Sequence, residues 1–283
     1  MAIALASLAS LFFGVLAVTM RMCFRSGAAF GPVALATTGG AAVVAFFVAL
    51  AAHGTHELTL HSVWPFVVAG VVAPGVSQLL FVRAIELIGA SRTAVLVGIA
   101  PLLSAGFAIA LLGEPVRAGL VAGTLAIVAG GLLLTWERTA TRLPALGFIV
   151  GGIAAVAIAA RDNFVRWAAK ENALPGTSAA ALSLMAATVF LFLLFGRSSR
   201  RGLWEQRRVV VASALLLGAA YACLLEALDR GRVTVVAPLY ATESLWAVLF
   251  AALLLRSSES VGRRLVAAAV LMVLGGALIG ISR

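Results

Sequence analysis

Charge is what this chain has least of. Of its 283 residues only 11% are charged, and just 11 are acids. A soluble globule of this length needs polar side chains over a large share of its surface. A chain that is 63% hydrophobic has too few of them, so the solvent for most of its side chains is lipid. Cysteine is also scarce. Cys23 and Cys223 both lie in or beside apolar runs, which excludes a disulfide framework and fits two buried thiols. No phosphate-cradling glycine loop, nucleophile elbow or Cys-x-x-Cys pair occurs. An ATP-driven pump and a membrane hydrolase both lack their apparatus, and no enzyme activity or cofactor is expected. Three histidines, His53, His56 and His61, crowd with Glu57 into "HGTHELTLH", but the spacing is not that of a zincin pair, so no metal is expected. The net charge of +10 is spread over short breaks between apolar runs, a distribution that fits membrane loops rather than a groove for nucleic acid.

What is present in abundance is the long apolar run. A spanning helix needs roughly 20 apolar residues. Ten runs qualify, at about 2–21, 28–52, 64–85, 92–112, 116–136, 144–160, 177–196, 208–228, 233–255 and 262–281. They are too long for barrel strands and show no alternation, so helix is expected throughout. The first lacks a basic region ahead of it and reads as a retained span rather than a signal peptide. The expected fold is therefore all-α and integral to the membrane, with ten transmembrane helices.

The two halves echo each other. In "RAIELIGASRTAVLVGIAPLLSAGFAIALLGEPV" and "EALDRGRVTVVAPLYATESLWAVLFAALLLRSSESV", Thr93 falls on Thr234. Further on, "AGGLLL" from Ala129 falls on "LGGALI" from Leu274. This suggests one five-helix repeat over 1–139 and a second over 140–283. An odd number of spans per repeat means that the second inserts upside down, the arrangement of many secondary transporters with a site between the halves.

"IGASRTAVLVGIAPLLSAGFAIALLGEP" and "RGRVTVVAPLYATESLWAVLFAALLLR" resemble the two copies of the recurring segment of the EamA-like family in the drug/metabolite transporter superfamily. The resemblance covers nearly the whole chain. It implies a metabolite transporter, often an exporter, with a central cavity lined by helices three, four, eight and nine. The chain departs from the family pattern twice. "GEP" at Gly113–Pro115 becomes "RSSES" in the second copy, and Glu243–Ser244 stands where many relatives carry proline.

Glu243 poses the sharpest chemical question. It lies eleven residues past Arg232, or about 16 Å along a helix, near the middle of a roughly 30 Å hydrocarbon core. A charge there costs about 2.5–3.5 kcal/mol even on the lenient insertion scale, so the carboxyl must face protein or water. Tyr240, Trp246 and Phe250 share its helix face and Thr242 adjoins it, a setting that would suit a cationic or zwitterionic ligand. The alternative is a protonated carboxyl acting as interhelical glue. Gln78 lies mid-span and is either glue or cavity lining; Pro101 and Pro238 lie inside apolar runs, where proline bends a helix. Arg83 and Glu226 are candidate gate or coupling charges at opposite cavity mouths, with Glu86 and Asp229 beside them, or else ordinary interface charges. The glycine pairs Gly130–Gly131 and Gly275–Gly276, with the Gly276-x-x-x-Gly280 ridge, suggest that helices five and ten pack closely as a brace or as a dimer contact.

Together these features predict a multi-pass protein of the cell inner membrane. It would move a small organic solute (an amino acid, amine or related metabolite) outward, driven by a proton or solute gradient, with lipid as its other partner. A lipid-carrier flippase on the same fold would instead show a lateral opening between helices, and a non-transporting scaffold would have no wet cavity at Glu243. Basic residues are concentrated at the breaks after the odd-numbered spans, so the positive-inside rule puts both termini outside, whereas the family resemblance implies the reverse.

Overall fold

The computed structural model describes residues 1–25, 27–54, 59–88, 93, 96–135, 144–172, 174–198, 203–254 and 263–282. His56, Glu57, Arg92 and Glu259 lie outside them. The described residues form helices, with no strand among them. In chain order they are α1 (Ala2–Arg25), α2 (Phe30–His53), α3 (Leu60–Ile88), α4 (Ala100–Leu112), α5 (Ala118–Thr135), α6 (Ala145–Glu171), α7 (Gly176–Phe195), α8 (Arg207–Arg230), α9 in two parts (Val233–Tyr240 and Glu243–Leu254), and α10 (Arg263–Ser282).

Seven of these, namely α1, α2, α3, α6, α7, α8 and α9, are long and apolar enough to cross a membrane. The apolar stretches of α4, α5 and α10 are shorter. Among the described residues, seven helices thus qualify as candidate spans by length and composition. In α4 the reason is physical: the run expected to be helical from residue 92 is interrupted by a turn at Gly98–Ile99, which separates the helical Leu96 and Val97 from the continuous helix that starts at Ala100.

Hydrogen bonds identify the two ends of the bundle. At one end His53 bonds Thr177, whose backbone N–H donates to Glu226; Glu226 holds Arg230, and Arg230 reaches Met1. At that same end Glu114 receives the N–H of Val233, and Arg117 donates to the Ser282 carbonyl. At the opposite end the rings of Phe24, Phe30 and Phe195 meet, and Cys23, Val33 and Val210 form a small cluster. The main core, between these ends, draws on helices from both halves, with Ala6, Ala41, Phe66, Leu120, Leu184, Leu224 and Ile279 all nearly inaccessible.

Two helices are broken. In α3, Ala73 is extended (φ −149°, ψ 122°) just before Pro74, whose missing N–H leaves a gap in the helical ladder. In α9 the break falls at Ala241–Thr242, so that Glu243 opens the second part. Close contacts through small residues hold the frame. A Cβ built on either Gly123 of α5 or Gly275 of α10 would lie 2.6 Å from the other's carbonyl oxygen, so these two backbones touch.

Candidate functional site

The sixth span was expected to end at residue 160, before "RDN". Instead α6 continues to Glu171, and Arg161, Asp162 and Asn163 lie inside it. Phe164, Val165, Trp167 and Ala168 extend the apolar faces past the charges, and the two opposite charges serve one another. Arg161 is 5% exposed and Asp162 0%. The guanidinium Nε stands 3.0 Å from Asp162 Oδ1.

The pair is surrounded by hydroxyls from other helices. Asp162 Oδ2 accepts from Tyr240 Oη of α9 (2.8 Å) and from Ser104 Oγ of α4 (3.1 Å). The Arg161 guanidinium lies 5.5 Å from the ring centroid of Tyr221 on α8, a cation–π distance. Phe13 of α1 packs on both Tyr221 and Tyr240. These are the two tyrosines of the chain. Asn163 donates to the backbone carbonyls of Ser104 and Ala159, fixing α6 on α4. A buried Arg–Asp pair needs such extra hydrogen bonds, because its own attraction barely offsets the loss of hydration.

Glu243 belongs to the edge of this cluster. It is half-buried in the first turn of the second part of α9, where the helix dipole favours a negative charge, and the Arg161 guanidinium acts on it electrostatically. Gly14 of α1 makes room beside it: a Cβ there would sit 2.8 Å from the Glu243 carbonyl oxygen and 2.4 Å from Trp246 Cβ. Trp246 and Phe250 lie side by side one turn further on. Thr242, at the break, exchanges a 2.9 Å hydrogen bond with Ser10 of α1 and donates to the Leu239 carbonyl.

The remaining sequence candidates are more dispersed. Pro101 is buried in the first turn of α4, where a missing N–H costs nothing, so it starts that helix rather than bending it. Pro238 lies within the first part of α9, ahead of the break. Gln78 is half-buried in α3, just past the Pro74 break. Arg83 pairs with Glu86 one turn away at 2.6 Å, both side chains being more than half exposed. Glu226 pairs with Arg230 at 2.5 Å and accepts from the Thr177 N–H. Arg83 and Glu226 therefore stand at opposite ends of the bundle, each in its own intrahelical pair. Among the described residues no group of His, Cys, Asp or Glu is placed to hold a metal ion.

Sequence reading missed Glu114. This residue is buried, and its two carboxylate oxygens accept from Val233 N (2.8 Å), Thr234 N (2.9 Å) and Thr234 Oγ1 (2.7 Å). Gly113, in the left-handed conformation (φ 65°), ends α4 and turns Glu114 toward the start of α9. "GEP" is thus a device by which the first half caps a helix of the second.

The profile of the EamA-like transporter family matches residues 1–136 and again 145–281. The chain belongs to the EamA-like transporter family. The two matched stretches are the two repeats of that family, and they meet at the buried cluster, with Ser104 from the first and Arg161, Asp162, Tyr221 and Tyr240 from the second. A solved crystal structure shares the fold, with a TM-score of 0.78 over 98% of each chain and 22% sequence identity. Comparison with curated proteins gives no match. EamA-like proteins are membrane transporters, and the apolar helices of this member make it a multi-pass membrane protein.

Proposed function

We propose that this EamA-like protein is a gradient-driven transporter of a small organic solute, exported across the cell inner membrane through a site between two inverted repeats of five spans each. One observation carries the reading. Among the described residues Arg161 is the buried cation; it pairs with Asp162, and Glu243 opens the second part of α9 at the edge of the same cluster, where helices of both repeats converge. Broken helices at the repeat interface are where secondary transporters bind their cargo. One arginine balances one carboxylate. The second acid must find a proton or the positive group of a substrate, which is the exchange that coupled transport needs. Tyr240, Trp246 and Thr242 flank Glu243, Gln78 lies just past the break in α3, and Pro101 lies in the first turn of α4. Arg83 and Glu226 mark the two ends between which access would alternate. The alternation of bundle ends along α1 to α10 supports ten crossings, the short helices included.

Glu243→Gln tests this. The amide keeps the shape and hydrogen bonding but cannot ionise. In proteoliposomes screened against amino acids, amines and sugars, the variant is expected to fold and to lose either the pH dependence of flux or the preference for a positively charged group. Unchanged flux with an unchanged pH profile would make Glu243 structural glue.

A further inference from the structure

α3 and α4 both pack on α6, and between them lies a groove with α6 as its floor. Its volume is about 420 Å³. The walls are Val68, Ala69 and Val72 of α3 and Phe107, Leu111 and Leu112 of α4; the floor runs from Ala160 to Trp167. The mouth is on the flank of the bundle, since Val68, Trp167 and Leu111 are exposed, Leu111 by 74%. Exposed apolar residues on a spanning helix face hydrocarbon. Phe164 and Trp167 stack at 5.3 Å, and Trp64 closes the cluster at 5.8 and 6.2 Å from their centroids. The only polar residues in the lining are Arg161 and Asn163, and both are buried. Arg161 Nη1 and Asn163 Oδ1 have no hydrogen-bond partner. One is a donor in need of an acceptor, the other an acceptor in need of a donor.

We infer that this groove is a lateral binding site for a membrane-partitioning molecule with an aromatic or branched apolar body and a neutral carboxamide-type head, whose carbonyl meets Arg161 and whose N–H meets Asn163. The head is neutral because Asp162 already balances Arg161. The body is small, in keeping with a groove of about 420 Å³. The site goes beyond the transport reading and does not depend on it.

Thermal unfolding of the purified protein in detergent, with 4-phenylbutanamide, 4-phenylbutylamine or butylbenzene added, tests the assignment. The amide is expected to raise the unfolding temperature by about 3 °C or more at saturation, with the amine and the hydrocarbon giving less than a third of that. Leu111→Trp and Val68→Trp, on the lipid-facing rim, should fold and abolish the shift by filling the mouth. No shift with the amide, equal shifts with all three compounds, or an amide shift that survives both rim variants would overturn the proposal. Amide binding without amide flux in proteoliposomes would leave this site standing and count only against the amide as cargo.

Discussion

Arg161 and Asp162 are neighbours in sequence and partners in space, so the cost of burying each depends on the other. Removing one partner of a buried ion pair strands a charge and costs about 3–5 kcal/mol, whereas removing both is often close to neutral. Asp162→Ala and Arg161→Met are therefore each expected to lower the unfolding temperature and the yield of monodisperse protein. The double variant should recover much of the loss. A double-mutant cycle of unfolding temperatures checks this, and strictly additive losses would show that the two residues act independently. Tyr240→Phe removes one donor to Asp162 and should cost about 1–3 kcal/mol. The sequence disclosed only part of this cluster. Tyr240 was visible because it shares a helix face with Glu243. Arg161 and Asp162 were not, because a charged triplet after an apolar run also reads as the end of a span. The signal lay just beyond it: apolar residues resume at helical spacing at Phe164, Val165, Trp167 and Ala168, and two adjacent opposite charges can satisfy one another inside a bundle.

At the scale of elements, α9 shows how a broken helix is kept in place. Its first part is capped by Glu114 from the other repeat, and its second is pinned to α1 at Gly14. Removal of a capping side chain costs about 0.5–2 kcal/mol in water, and a backbone N–H left bare in lipid costs more. Glu114→Ala should therefore destabilise the protein at least to that extent, and Glu114→Gln, which still offers one acceptor, should do so less; a melting series in detergent separates the two. The pairing of α5 with α10 was legible in the matching glycines, but the residues that make the contact were not. A Cβ built on Gly123, Gly130 or Gly275 would come within 3 Å of a backbone oxygen of the facing helix. A Cβ on Gly276 would meet only the Leu239 side chain, at 3.5 Å, and one on Gly280 would enter open space. The glycine ridge read from the sequence is therefore not the contact surface, because in α10 it is Gly275 that turns toward α5. Gly275→Leu should sharply reduce folded yield, and Gly276→Ala should be tolerated. Equal damage from the two would show that the backbones do not touch at Gly275.

For the whole molecule, the open question is which end of the bundle faces the cytoplasm, and here the structure changes the sums that the sequence allows. Arg161 is in the bundle core, and Arg166 donates to the carbonyls of Leu228 and Asp229 at the C-terminal end of α8. Neither is a loop charge, so neither counts toward the positive-inside rule. The end that carries Met1 and Ser282 then keeps Arg117, Lys170, Arg230 and Arg232 near its surface. The opposite end keeps Arg21, Arg83, Arg197, Arg207 and Arg208. Burying Arg161 thus sharpens the asymmetry, which favours termini outside and the arginine-rich end in the cytoplasm. A C-terminal alkaline phosphatase fusion should accordingly be active and a C-terminal green fluorescent protein fusion dark. The reverse pattern would place the lateral groove, which opens near the termini-bearing end, within reach of the cytoplasmic leaflet, and would mean that the arginines of the other end serve a purpose other than orientation.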